Sequence, residues 1–331
     1  MLETSGNKRA MSIRSSSTTT RGVIACLGAA AAWGANGVAS KYLMNMGLSP
    51  FVLSQGRLTI ASIITVIWLA LRKKEALHIR LGHVWHFALL GTIGMAGVNA
   101  CYFEAISKIA TAAAILVEYI APVLIAVYAR LFMSQRMGPV RWAALFLALI
   151  GCYFVVGGYN VDLFNMNFTG LMWGLGAAVT YSFYIVYSEY LLRVYSPWTI
   201  LLYALIFGSL GWNLALGPST LPKMGWDFTS WTLIFLCSSL GTIVPFGLFA
   251  LGVELLRSTR ATIIATFEPI SAGIIAFLFL GEKLSVPQIA GGISVLVAVI
   301  LVQREKEIDE LSPSALKKHG QVHGLVFRRP E

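Results

Sequence analysis

The stretch GVIACLGAA at residues 22–30 returns in outline as GLMWGLGAA at residues 170–178, 148 positions further along the chain. Pro122 recurs in the same way as Pro269, 147 positions on. In a chain made of apolar segments, a repeat of this kind indicates a duplicated membrane bundle. Many secondary transporters are built from duplicated bundles, so transport is the first functional hypothesis.

The composition excludes a soluble globular domain. Of the 331 residues, 57% are hydrophobic and 12% are charged, and the mean hydropathy is +0.73. The net charge of +10 does not indicate a nucleic-acid partner, because the basic residues lie between and beyond the apolar runs and do not form one face. The partner that this composition predicts is the lipid bilayer.

The apolar runs predict an all-α polytopic membrane protein with ten transmembrane helices. Each run is long enough to cross a bilayer, which takes roughly 17 to 25 residues. The ten runs are Gly22–Met44, Pro50–Leu71, Val84–Ile106, Thr111–Met133, Val140–Gly158, Thr169–Leu192, Pro197–Leu216, Trp231–Leu256, Ala261–Leu280 and Val286–Val302.

The loop charges predict the orientation. Most of the 25 Lys and Arg residues fall on one side of such a bundle, and this bias predicts that both termini lie in the cytoplasm. The membrane itself is predicted to be the bacterial inner membrane. Each repeat has five crossings, an odd number, so the two halves are predicted to be inverted. The predicted units are a cytoplasmic tail (1–21), the first repeat (22–158), an extracytoplasmic linker (159–168), the second repeat (169–302) and a cytoplasmic tail (303–331).

Few charged side chains lie inside the runs, and each costs roughly 3 kcal/mol or more unless it has a partner or a water-filled cavity. Glu118 and Glu268 lie in mid-run, and Arg57 lies in the outer third of the second run. The glutamates are candidates for proton exchange or for binding a substrate ammonium, and Arg57 for binding a carboxylate. The alternative is an internal ion pair that only holds helices together. Glu104 is expected to pair with Lys108, four residues on.

Three prolines interrupt helical runs and are predicted hinge or kink positions: Pro122, Pro245 and Pro269. Each removes a backbone N–H and frees the carbonyl four residues earlier. The freed carbonyls are those of Glu118, Gly241 and Ala265.

Aromatic and amide side chains in mid-run suggest a cavity for planar or amphipathic organic molecules. Under the repeat offset, Trp33 aligns with Tyr181, and Asn36 with Tyr184. The predicted substrate-binding residues are Trp33, Asn36, Asn99, Tyr102, Glu118, Tyr181, Tyr184 and Glu268.

Motifs for other chemistry do not appear in the sequence. It has no HExxH, GxSxG or phosphate-binding glycine loop, and its four cysteines form no CxxC pair, so it predicts no cofactor and no metal site.

An intramembrane enzyme would need clustered Asp, His or Ser residues near an interface. The nearest such cluster, His78, His83 and His86, has only Glu75 beside it. A channel would need a continuous polar stripe, which the runs lack.

The ninth and tenth runs resemble a known family unit. The letters ATIIATFEP at 261–269, AFLFLGEKLS at 276–285 and QIAGG at 288–292 resemble the EamA half-repeat of the drug/metabolite transporter superfamily. The first half is similar at 111–124, but it reads SQRM at 134–137 where the second half has GEKL.

This resemblance implies ten helices, two inverted five-helix halves and a central cavity from which small metabolites are exported. Within the superfamily the chain looks most like the exporters of aromatic and other neutral amino acids. The resemblance also places Glu282 at the outer surface as a structural cap. The expected partners are thus a small-molecule substrate and, as a candidate coupling ion, the proton. A nucleobase or drug exporter of the same fold is the alternative.

Overall fold

The computed structural model describes residues 3–109, 111–133, 138–160, 167–223, 227–280, 285–304 and 312–314. These residues form helices and connecting turns and contain no strand. The helices of the first half are α1 (Glu3–Asn45), α2 (Pro50–Arg72), α3 (Val84–Leu89), α4 (Gly97–Lys108), α5 (Thr111–Glu118), α6 (Ala121–Phe132) and α7 (Pro139–Val155). Those of the second half are α8 (Phe168–Leu192), α9 (Pro197–Leu216), α10 (Thr220–Lys223), α11 (Phe228–Ser238), α12 (Val244–Leu256), α13 (Ser258–Ala265), α14 (Glu268–Leu280) and α15 (Val286–Arg304).

The prediction of an all-helical polytopic chain is confirmed for these residues. Eight segments of the described chain are long and apolar enough to cross a membrane. The fifth predicted crossing is the shorter apolar helix α7, and the ninth is divided into α13 and α14. The total of ten crossings therefore stays a prediction.

The segments outside the two repeats differ in how much of them is described. The predicted tail 1–21 is helical from Glu3, because α1 continues back through it without a proline to stop it. Within the predicted linker, Asn167 caps α8 by accepting a hydrogen bond from the backbone N–H of Gly170. Residues 161–166, Glu282 with its GEKL segment, the SQRM segment and most of the tail 303–331 lie outside the described residues.

The repeat is visible in where the helices start. Ser49 caps α2, with Pro50 in its first turn, and Ser196 caps α9, with Pro197 in the same place. Proline suits this position because the first backbone N–H groups of a helix have no intrahelical partner.

The repeat is also visible in where the helices are interrupted. The third crossing contains a π-helical segment at Leu90–Ala96, and the eighth contains one at Ser239–Ile243. The fourth crossing breaks between α5 and α6, and the ninth breaks between α13 and α14, 147 positions later. The duplicated sequence thus forms duplicated interruptions.

The two halves pack through equivalent pairs of helices. α1 of the first half packs against α12, and α8 of the second half packs against α4. Gln55 in α2 donates to Asn213 in α9 at 3.0 Å, and one turn on, the hydroxyls of Thr59 and Ser209 are 3.0 Å apart. Since residue numbers rise along α2 while they fall along α9, these two equivalent helices run antiparallel.

Candidate functional site

A cavity of about 90 Å³ lies between the two halves, where the two main buried clusters meet. Trp33 and Phe246 reach it from the larger cluster, and Tyr102 and Phe103 reach it from the smaller one. Seven of the eight predicted substrate-binding residues line it: Trp33, Asn36, Asn99, Tyr102, Glu118, Tyr181 and Glu268.

Tyr184 is the predicted residue that the structure does not bring to the cavity. Its side chain is 2% exposed and packs against Gly94, where the absence of a side chain leaves room for the ring. On its other side it makes an edge contact with Phe246, at 5.5 Å between ring centroids. Tyr184 therefore supports a cavity wall from behind.

The two glutamates stand at helix breaks. Glu118 is the last residue of α5, and Glu268 is the first residue of α14. Pro122 and Pro269 lack the N–H that would continue each helix, so a two-residue turn intervenes at 119–120 and at 266–267. Both side chains are half-buried and line the same cavity.

The two carboxylates line one cavity. Neither Glu118 nor Glu268 forms an ion pair within the part of the chain that the structure describes. Like charges that share a low-dielectric site repel each other. A bound cation, such as an ammonium group or a proton, would relieve that repulsion.

Arg57 also lines the cavity, and its side chain is 3% exposed. It donates to the hydroxyl of Ser40 at 3.1 Å, to the hydroxyl of Thr242 at 2.9 Å and to the carbonyl of Gly241 at 3.0 Å. Its guanidinium also lies 5.1 Å from the centroid of the Phe103 ring. Neutral groups thus hold the charge in place, and no carboxylate of the described chain forms an ion pair with it.

Pro245 supplies part of this support. Proline has no N–H to donate to the carbonyl four residues earlier, which here is that of Gly241, and Arg57 donates to that carbonyl. The structure therefore gives Pro245 a local role as a source of an acceptor, while its predicted role as a hinge stays a prediction.

Two buried polar atoms on the wall have no hydrogen-bond partner among the described residues. They are Oδ1 of Asn36 and the hydroxyl oxygen of Tyr119. Asn99 differs, because its Nδ2 donates to the Met95 carbonyl at 2.8 Å within the π-helical segment. Buried polar groups are normally hydrogen-bonded, so these two atoms are exceptions among the described residues. Oδ1 of Asn36 packs against Gly241, and Tyr119 packs in a cluster with Cys152 and Val295.

The remaining wall is aromatic and hydroxylic. The Trp33 ring lies 5.1 Å edge-on from Phe246 and 6.3 Å from Tyr181. Thr262 and Thr266, one turn apart, complete the wall along α13. Sequence reasoning missed Tyr119, Phe246 and these two threonines. The available signals were the position of Tyr119 next to Glu118 and the i, i+4 spacing of the threonines before Glu268.

Comparison with known proteins identifies the family. The model of the EamA-like transporter family matches residues 20–157 and again 168–304. The chain belongs to the EamA-like transporter family. This membership shows the drug/metabolite transporter relationship that the sequence resemblance indicated, and it makes the chain an integral membrane protein that handles a small molecule.

Relatives of this EamA-like chain carry transporter names. It is 26% identical over 296 residues to the uncharacterized inner membrane transporter YicL of Salmonella typhimurium, an alignment that covers 86% of this chain and 96% of the relative. It is 25% identical to the threonine/homoserine exporter RhtA of Escherichia coli strain K12, covering 66% of this chain and 72% of the relative.

A solved structure shares the fold. A protein whose title reads only "Crystal structure of protein" superimposes with a TM-score of 0.69 over 85% of this chain and 96% of its own, at 18% identity. Together, the family and the relatives' names point to a transporter and away from an enzyme.

Proposed function

We propose that this EamA-like protein exports small neutral amino acids by alternating access of two inverted halves around the central cavity. The observation that carries the proposal is the charge composition of the wall, which contains one cation, Arg57, together with the two carboxylates of Glu118 and Glu268. A zwitterion places a carboxylate and an ammonium group only a few bonds apart, and this wall offers a counter-charge to each.

Arg57 is suited to hold the carboxylate. Its guanidinium is oriented by three neutral acceptors, so the charge is fixed in direction before a substrate arrives. Preorganised donors of this kind bind an anionic group without the cost of rearrangement. Glu118 and Glu268 provide the complementary site for the ammonium group.

A named relative favours small substrates. RhtA, which is 25% identical to this chain, is named as a threonine/homoserine exporter. Aromatic amino acids, which the sequence predicts, would suit the aromatic rings of the wall, so a transport assay has to include both classes.

The arrangement of the halves supports the transport cycle. The equivalent helices α2 and α9 run antiparallel, as a two-fold axis in the membrane plane requires. With both termini on the cytoplasmic side of the inner membrane, rocking of the halves would expose the cavity to each side in turn.

Counterflow into proteoliposomes tests the proposal with labelled threonine, phenylalanine and a nucleobase. We expect threonine flux to exceed the other two, and Glu118→Gln to reduce it at least about tenfold, since one lost charge-assisted hydrogen bond is worth about 1.5–3 kcal/mol. Glu104→Gln is the matched control, because Glu104 is already paired with Lys108 at 2.6 Å. Preferred transport of the nucleobase would replace this proposal with the alternative substrate class.

The same vesicles test the proton as coupling ion. If Glu118 and Glu268 bind a proton and the substrate in turn, an imposed pH gradient should drive threonine against its concentration gradient. Glu268→Gln should then abolish the dependence of threonine flux on the pH gradient. Equal flux with and without the gradient in the unmodified protein would indicate facilitated transport.

A further inference from the structure

A second, larger cavity lies at the end of the bundle where α2 ends and α9 begins, away from the central site. Its volume is about 820 Å³, within the range of small-ligand pockets. We call it the basic groove and define it by Arg72, Lys73, Lys74 and Arg80 on one side and by Ser196, Trp198 and Thr199 on the other.

The groove is held in a fixed shape. The hydroxyl of Tyr203 in α9 donates to the carbonyl of Leu77 at 2.6 Å, which ties the loop between α2 and α3 to the second half. The backbone N–H of Arg80 donates to the hydroxyl of Tyr195 at 3.3 Å, and Tyr195 also contacts the ring of His83. The loop that carries the basic side chains is therefore anchored to the second half at Leu77, Arg80 and His83.

The charge of the groove is not neutralised by the described chain. Its four Lys and Arg residues are exposed and form no ion pair with a described residue, and Glu75 is the one acidic residue of the lining. The N-terminus of the 20-residue helix α9 opens at the same place and adds partial positive charge. Both features favour an anionic ligand.

The surroundings indicate where such a ligand comes from. Leu71, at the end of α2, is 76% exposed, and Trp68 one turn earlier is 38% exposed, so the rim of the groove continues into a lipid-facing surface. The ammonium of Lys73 lies 5.7 Å from the Trp198 ring and 6.0 Å from the Trp68 ring. Tryptophan beside lysine is typical of the headgroup level of a bilayer.

We propose that the basic groove binds the phosphate headgroup of an anionic phospholipid, such as phosphatidylglycerol. Under the proposed orientation this lipid belongs to the cytoplasmic leaflet, where basic pockets between transmembrane helices hold such headgroups. The headgroup would contact α2 of the first half and α9 of the second, so the lipid would link the two halves at this end.

Native mass spectrometry of the purified full-length protein tests the site with phosphatidylglycerol and phosphatidylcholine. The test variant is Lys73→Gln/Lys74→Gln, and the matched control is Arg21→Gln/Arg130→Gln, which removes two exposed positive charges from the same predicted side. At about 1 kcal/mol per basic residue, the test variant should bind phosphatidylglycerol about 30-fold more weakly, while the control stays within about threefold of the unmodified protein. Elution volume on size exclusion confirms that both variants fold.

Three results would overturn the proposal. An equal loss of binding in both variants would show diffuse attraction to charge, and equal binding of phosphatidylcholine would show that the anionic headgroup is not recognised. Displacement of the lipid by equimolar glycerol 3-phosphate would show a site for a soluble phosphate.

Discussion

At the scale of single residues, a proline and an arginine 188 positions apart in the chain act as one unit. Pro245 cannot donate to the Gly241 carbonyl four residues earlier, and Arg57 donates to that carbonyl. A mid-helix proline in a membrane segment is often explained by bending alone. Here it also provides an acceptor that orients the one cation of the described cavity lining.

Replacing Pro245 should therefore affect substrate binding while the helix itself remains intact. Pro245→Ala restores an N–H one turn after Gly241, which competes with Arg57 for the carbonyl. We expect weaker threonine binding, by roughly three- to tenfold in the half-saturating concentration for counterflow, since one hydrogen bond is worth about 0.5–1.5 kcal/mol. Pro50→Ala, in the first turn of α2, frees no acceptor and is the control. Equal effects of the two variants would contradict the coupling of Pro245 to Arg57.

The sequence predicts most of the central site because charged and amide side chains are expensive in a membrane and therefore few. Glu118, Glu268 and Asn36 stand out for that reason, and all three line the cavity. Tyr184 does not line the cavity, because its ring packs against Gly94, whereas the alignment with Asn36 under the repeat offset predicts it there. The sequence signal for Thr262 is weak, because a threonine that satisfies its hydroxyl within its own helix is common in membrane segments.

At the scale of elements, the helix breaks could be predicted and the π-helical segments could not. Pro122 and Pro269 mark the breaks in the sequence through a covalent property of proline. The segments Leu90–Ala96 and Ser239–Ile243 carry no such mark. A π-helical segment is a local widening of a helix that occurs frequently at functional sites. The segment Leu90–Ala96 packs against α9 of the other half.

Small residues permit two helices to approach each other closely. α7 and α15 cross at Gly151 and Gly291, where a Cβ on Gly291 would lie 2.6 Å from the Gly151 carbonyl oxygen and 2.7 Å from Cβ of Phe154. The neighbouring Gly292 has open space, with Ile270 as its nearest atom at 4.0 Å. The two adjacent glycines therefore differ in what they tolerate.

Gly291→Ala should destabilise the protein, and Gly292→Ala should not. Both changes raise helix propensity by a similar amount, about 1 kcal/mol. The difference in stability between the two variants therefore isolates the clash of the new Cβ, which we expect to cost about 1–3 kcal/mol. Thermal unfolding in detergent, followed by fluorescence on size exclusion, measures both midpoints. A Gly291→Ala midpoint equal to or above that of Gly292→Ala would show that α7 and α15 separate without cost.

At the scale of the whole molecule, transport by alternating access requires that each end of the cavity opens in turn. The junction between the end of α8 and the start of α13 is the candidate for the closed end. Glu189, which is fully buried, accepts hydrogen bonds from Arg257 at 3.0 Å and from the backbone N–H of Ser258 at 2.7 Å. This carboxylate fixes the start of α13, and the cavity residue Thr262 lies one turn further along.

Loss of the Glu189 carboxylate should therefore open this end. A buried ion pair that loses one partner is destabilised by about 3–5 kcal/mol, enough to favour a state in which α13 moves and Arg257 reaches water. We expect Glu189→Gln to increase the labelling rate of a Thr262→Cys reporter by a membrane-impermeant maleimide at least about tenfold. The reagent is applied from the side of the termini, in a background whose four native cysteines are replaced.

Two further variants decide whether labelling reports opening of the closed end. Glu189→Asp keeps the charge and should restore most of the protection of Thr262→Cys, whereas a general loosening of the fold would persist in it. Glu104→Gln removes a different ion pair, one that lies within α4 and joins no two helices, so its labelling should equal that of the parent. If Glu104→Gln exposes the reporter as much as Glu189→Gln does, the barrier at this end does not depend on how Glu189 holds α13.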